Sequence, residues 1–415
     1  MARTTGRATK ILGAATAVSA SFLIAGAAAA AAAPASAGHT VAAPTSRAPE
    51  FAVRQILNGA RLHHSYTAAG SRVGKTEALS SPDDITVLGH HIFTAFQNGV
   101  GPQGQPSTDG NTLSTVVEFT AGGHVVRQWD IKGKCDGITA DTGRGELIAT
   151  VNEDAHSSIY TITPAAREGQ VQHYRYNEAL PSKGGTDAIS VSHGQVLVSA
   201  SAPGTTGKAA PQPSYPAVYV VTFNSATHVA AVKPLFFDES AATVANLGPD
   251  HGKVVKLALT DPDSNENVPV SGPRFGGDFM LTSQGDKEQI FVQGGHGRGR
   301  GHGQAPRLTV LRLSQSVDDT AWARSPHGVL YGADTSGDTI DAVTGKFPAH
   351  SIFVAVTPCD ADNAPATCPG PGFPPNYLGQ LDPWTGHITK VQHSGPSFEP
   401  QGMIFIGPGW NVIPG

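Results

Sequence analysis

The chain reads as an all-β protein, a β-propeller of six blades, with seven as the alternative. Short runs rich in β-branched and aromatic residues, such as Ile85 to Leu88, Val116 to Phe119 and Leu147 to Val151, recur between Gly, Asp and Asn turns, which is strand patterning. An aspartate followed by a small or acidic residue and then apolar ones also recurs along the chain, as expected of a repeated strand unit. With 49 glycines and 31 prolines among 415 residues, the sequence is punctuated too often for long helices.

The N-terminus carries Arg3, Arg7 and Lys10, then an apolar run from Ile11 to Ala33, then Ala35-Ser36-Ala37. That order of charged, apolar and small residues is expected of a secretory signal peptide over residues 1–37. Residues 38–50 are rich in Ala, Pro and Thr and read as a flexible spacer, which leaves 51–415 as a single propeller domain. Removal of the leader takes three of the 28 basic residues and leaves 25 against 33 acidic ones, a net charge of −8. This balance argues against nucleic acid as a partner, and no stable membrane insertion is expected once the leader is cleaved.

From Phe51 to His64 the pattern fits a short helix or a strand that completes a blade. The repeat then begins. Asp83-Asp84-Ile85, Asp136-Gly137-Ile138, Asp187-Ala188-Ile189 and Asp318-Asp319-Thr320 are full anchors, with Gly277-Asp278-Phe279 and Gln401-Gly402-Met403 as variants, at intervals of 53, 51, 90, 41 and 83 residues. Inner strands are expected to begin at Ile85, Ile138, Ile189, Phe279, Thr320 and Met403. The last anchor, close to the C-terminus, is expected to lie near the N-terminal strand and close the ring, because a blade standing alone exposes both faces of a small sheet.

The run Asp136-Gly-Ile-Thr-Ala-Asp to Thr150, and the hairpin Leu378-Gly-Gln-Leu-Asp-Pro-Trp-Thr-Gly-His-Ile-Thr, resemble the broad group of NHL-, YVTN- and SMP-30-like propellers. The resemblance implies the fold but no single function, since the group holds lactonases, lyases and binding proteins. Its lactonases hold a metal with a glutamate in a Glu-Gly-Pro motif of the first blade. Here the corresponding stretch is Leu79-Ser80-Ser81-Pro82-Asp83, so no catalytic residue carries over.

Two groups of residues are candidate sites. If the inner strands all start at one end of the ring, Asp83, Asp136, Asp187, Asp278 and Asp318 surround one mouth of the channel, where carboxylates would attract a divalent cation or a cationic ligand; each also suits a turn-fixing role. The second group, Asp261-Pro-Asp263-Ser-Asn265-Glu-Asn267, places oxygen-bearing side chains at alternate positions like the first half of a calcium loop. It lacks the turn glycine at Glu266 and the closing glutamate at Gly272. A divalent cation such as calcium is the only cofactor these patterns suggest. Cys359 and Cys368 are expected to pair in a disulfide, and Cys135 to be a buried thiol. The function expected is that of an exported binding or scaffold protein for an unidentified small molecule or extracellular macromolecule. The alternative is a metal-assisted hydrolase or lactonase with its site at the channel mouth.

Overall fold

The computed structural model describes residues 50–167, 170–180, 185–201, 214–293, 306–358 and 375–410. The expected leader, residues 38–49 of the expected spacer, and Cys359 and Cys368 with their expected disulfide lie outside these residues. Within the unit Ala48–Gly415 the described residues are all-β apart from one turn of 3-10 helix at Gly59–Arg61. No helix among the described residues is long and apolar enough to cross a membrane.

The architecture is built around six central strands: Pro82–Leu88, Cys135–Asp141, Ile189–Ser192, Pro262–Asn267, Val317–Trp322 and Pro400–Ile406. Each packs against the next in that order, and the last returns to the first, so they close a cycle. From each, antiparallel strands step outward, as in Pro82–Leu88, His91–Phe96, Leu113–Phe119 and Val125–Lys132. Apolar side chains on facing sheets fill the space between them. Phe93, Trp129, Leu147 and Ile162 form one such layer, and Leu197, Phe236, Leu281 and Ile290 another. The chain is a β-propeller.

The first and last strands among the described residues share a sheet, as expected. Phe51–Asn58, the strand reading of that segment, pairs antiparallel with Thr339–Gly345 in the sheet whose central strand is Pro400–Ile406. Some connections depart from repeat order, as where Ala241–Val244 and Val254–Lys256 precede Pro262–Asn267 yet join the outer edge of its sheet. The hairpin Val329–Asp334 and Thr339–Gly345 follows Val317–Trp322 in sequence but pairs with Pro400–Ile406, while Ile352–Val356 takes the place beside Val317–Trp322. Leu330 and Val343 pack with Phe398, Met403 and Phe405 in one apolar cluster that also takes in Ala321, Phe353 and Ala355 of the adjoining sheet.

The expected start at Phe279 is corrected. Phe279–Ser283 is the second strand of its sheet, and the central one is Pro262–Asn267, with Pro262 opposite Ser283 and Asn267 opposite Phe279. The residues read as a possible calcium loop therefore form strand, and Asp263, not Asp278, is the fourth anchor.

Candidate functional site

The recurring aspartate marks a bulge. Pairing between the central strand and its neighbour skips between Pro82 and Ile85, Cys135 and Ile138, Pro262 and Asn265, and Val317 and Thr320. A bulge takes backbone N–H groups out of the ladder, and buried ones need other acceptors. Two carboxylates each supply a pair of such acceptors, and Glu266 Oε1 adds a longer bond to Thr320 N at 3.3 Å. Asp84 accepts from its own neighbour Ile85 N at 2.7 Å and from Ile138 N of the next central strand at 2.8 Å. Asp319 does the same for Thr320 N at 2.7 Å and Met403 N at 2.5 Å. Each of these aspartates is followed around the ring by a glycine, Gly137 or Gly402, because the strands crowd there. A Cβ on Gly402 would stand 2.5 Å from the Asp83 carbonyl oxygen, and one on Gly137 would stand 2.8 Å from Ala188 Cα.

With the strands in this register, Asp83, Asp136, Asp187, Asp263 and Asp318 all stand at the bulged end of the ring. Asp278 stands at the other end, where its carbonyl accepts from Val268 N. The mouth candidates Asp83, Asp136 and Asp187 form a mutually interacting cluster with Lys134 and Glu153, residues that sequence reasoning missed. Lys134 Nζ lies 2.8 Å from Asp136 Oδ1 and also bonds Glu153 Oε1. Gln97 Nε2 donates to Asp136 Oδ1 at 3.0 Å. Asp136 is only 6% exposed; the backbone N–H of Glu153 also reaches its carboxylate, and its buried Oδ2 lacks a close hydrogen-bond partner among the described residues. Asp318 contributes through its backbone, its carbonyl accepting from Ser264 Oγ at 2.5 Å.

Carboxylates outnumber cations here, and burial favours their neutral form. Burial pushes Asp83 well above the usual carboxylate range, with the charge of Asp136 adding to it. Asp187 is raised likewise by burial, then by Asp263 and Glu153. Glu153 is pushed up to about 7 by burial and Asp136, against the pull of Lys134. Asp136 is raised by burial although Lys134 opposes it. Burial would lower the Lys134 pKa, yet Asp136, Glu153 and Asp83 together hold it well above its ordinary value. The lysine stays charged.

The second candidate group is spent on strand contacts. Asn265 Nδ2 donates to the Ala188 carbonyl at 2.8 Å, and Asn267 Nδ2 to the Val191 carbonyl at 2.7 Å, tying this strand to the neighbouring central one. The backbone carbonyls of Asp261 and Asp263 accept from Gln284 N and Ala188 N. Among the described residues no group of three His, Cys, Asp or Glu side chains is placed to hold a metal ion. Cys135 is a fully buried free thiol.

A second carboxyl group lies within the ring. Burial and the charge of Asp319 raise Asp84 to about 8. Burial, with Asp84 adding, raises Glu266 to about 7, although a hydrogen bond with Asp319 opposes it. Asp319 itself is raised well above its usual value by burial and by Glu266. Glu266 also lines a cavity of about 60 Å³ with Trp322, Arg324 and Phe405, room for about two waters.

These raised carboxyls set a pH dependence. The folded chain binds more protons than the unfolded one between the unfolded values near pH 4 and the folded values near 7 and 8, so stability falls as pH rises across that window. The melting temperature is expected to fall from pH 5 to pH 8. Glu266→Gln, which can accept from Thr320 N and donate to Asp319, is expected to flatten that fall and to stabilise by roughly 2 kcal/mol at pH 8. A calorimetric melting temperature that rises over the same window would contradict the assignment.

Fold and site define a β-propeller with an acidic, lysine-centred channel mouth. No family model matches the chain, and no curated protein matches it. Among solved structures it is similar to Kuenenia stuttgartiensis hydrazine synthase, at 13% identity and a TM-score of 0.37, over 76% of this chain and 66% of that one. It is also similar to the Myceliophteria thermophila Cps50 (Swd1) β-propeller domain, at 11% identity and a TM-score of 0.38, over 81% and 79% of the two chains. A third is the Pseudomonas aeruginosa periplasmic gluconolactonase, at 14% identity and a TM-score of 0.41, over 82% and 93%.

Proposed function

We propose that this chain is an exported binding protein that takes a ligand at the bulged mouth of its channel, between Asp83, Asp136 and Asp187. The observation that carries this reading is Asp136 Oδ2. A buried acceptor that is incompletely bonded costs folding energy, and here, reached by the Glu153 backbone N–H without a close bond to Oδ2, it lies in a cluster where four acidic side chains share one lysine. A ligand group that completes that bond would recover the cost. Export is proposed from the leader pattern at residues 1–37.

The test is a thermal-shift panel of sugars, lactones, amines, amino acids and carboxylic acids on the full chain, repeated on Asp136→Asn. A compound that stabilises the wild type and not the variant supports the mouth. Shifts that survive the substitution unchanged would move the site elsewhere, and turnover of a lactone would replace the binding role with the hydrolase alternative.

A further inference from the structure

We propose that the hairpin formed by His63–Thr67 and Gly74–Ala78 is a pH-dependent strap on the wall of the channel mouth, latched by His64; its bearing on ligand rests on the mouth as the binding site. The two strands form a sheet of their own. They hold the far side of the loop at residues 97–112. Ala69 N donates to the Gly110 carbonyl at 3.1 Å, and Lys75 Nζ to the Asp109 carbonyl at 2.8 Å. The near side of that loop reaches the mouth, where Gln97 Nε2 donates to Asp136 Oδ1 and the Pro102 carbonyl accepts from Asp154 N at 3.0 Å.

The latch follows from a count of donors. His64 is 5% exposed, with Nε2 3.1 Å from Glu77 Oε1 on the facing strand and Nδ1 3.1 Å from Asp130 Oδ1 on Val125–Lys132. Ionised carboxylates only accept, and a neutral imidazole has one donor nitrogen and one acceptor nitrogen. Neutral His64 therefore turns a lone pair toward one carboxylate, whereas the imidazolium donates to both. No neighbour among the described residues supplies the missing donor. Asn111 Nδ2 is committed to Glu77 Oε1 and the Leu113 carbonyl, and Asn98 Nδ2 to Thr115 Oγ1 and the same carbonyl. Both stand 3.5 Å from Nε2, too far for a further full bond. Tyr66 stacks on the imidazole, its hydroxyl reaching Glu77 and the Asp109 carbonyl, and Lys75 is taken by that carbonyl.

Burial would lower the His64 pKa, but the hydrogen bonds and charges of Asp130 and Glu77 hold it above its ordinary value of 6.5. The contribution of the latch is complete below pH 6.5 and is lost as pH rises through the folded value. Above it the hairpin loosens and the loop at 97–112 loses its backing. The mouth wall is thus ordered in acid and looser in base.

Hydrogen exchange of the ligand-free full chain at pH 6 and pH 8.5 tests this, with each amide expressed as a protection factor so that the intrinsic rate cancels. Residues 63–78 are expected to lose at least about tenfold in protection between the two, the worth of a charge-assisted hydrogen bond, and residues 97–112 to follow them. Asp130→Asn should flatten both losses, because its amide can donate to Nδ1 while the neutral ring donates to Glu77. The change in strand 217–221 should stay as in the wild type. Glu77→Gln should act in the same way, and serves where the first variant does not fold. The His64 ring, followed by NMR, should titrate with a midpoint above 6.5. Hairpin protection that is independent of pH, or a loss that both variants leave in place, overturns the latch. A hairpin that loosens while 97–112 stays protected removes its link to the mouth. Because no ligand is present, a failed small-molecule panel would remove the binding site and leave the latch standing.

Discussion

Replacing Gly402 by alanine should cost the fold about 3 kcal/mol, a fall of roughly 4 °C in melting temperature at the usual unfolding entropy per residue. The added Cβ would stand 2.5 Å from the Asp83 carbonyl oxygen, 2.7 Å from Asp84 Cα and 3.1 Å from Ile85 N. All three are backbone atoms of the first central strand, so no side-chain rotation relieves the overlap. The contact joins the last central strand to the first, while Met403 N of the same strand is held by Asp319 on its other side, so the strand is fixed from both neighbours. An alanine at Gly407, whose Cβ would meet only the tip of the Phe405 ring at 3.9 Å, is the control and should be close to neutral. Equal melting temperatures for the two variants would show that the strands are not in close contact at Gly402.

Lys134→Met should be the most damaging single change at the mouth, and its cost should depend on pH. Removing one partner of a buried ion pair leaves the other charge unpaired, at about 3 kcal/mol or more. Here Asp136, Glu153 and Asp83 all lose their counter-ion together. At pH 8 the expected loss is about 3 kcal/mol. At pH 5 the carboxyls are neutralised by protons, and the loss should shrink to about 1 kcal/mol. Chemical denaturation at the two pH values measures the difference. A loss independent of pH would mean that the Lys134 side chain matters for packing alone.

Much of this fold is legible in the sequence because the anchor is a local signal. A bulge needs an aspartate turn, then a small or acidic residue that fits between adjacent strands, then a strand. Asp83, Asp136, Asp187 and Asp318 meet that rule within a few residues. The fourth central strand hides from it because Pro262–Asn267 is polar after its proline, its Asn265 standing where other anchors carry Ile, Thr or Met. Asp278, followed by the apolar Phe279, imitates the signal at the wrong end of the sheet. The pairing of hairpin 329–345 is not local either, since the strand it joins, Pro400–Ile406, comes more than fifty residues later.

The site was only half legible. Its aspartates follow from the anchor, yet the reason they matter is Lys134 and Glu153, which meet only after the second sheet has folded. A signal was present: Lys134 immediately precedes Cys135-Asp136, and Glu153-Asp154 follows the adjoining strand. Position along the chain cannot show that one lysine answers several carboxylates, because Asp83 and Asp187 reach it from neighbouring sheets. The calcium pattern at Asp261 to Asn267 fails for the opposite reason: alternation of oxygen-bearing residues is also the period of a strand.

Hydrogen exchange of the full chain, with and without the tightest-binding member of the small-molecule panel, most directly tests whether ligand is taken at the bulged mouth. The predicted result is protection in segments 80–84, 97–105, 134–138 and 152–157, around Asp83, Gln97, Lys134 and Glu153. Protection confined to the other end of the ring, in segments 266–278 and 322–328, would contradict it.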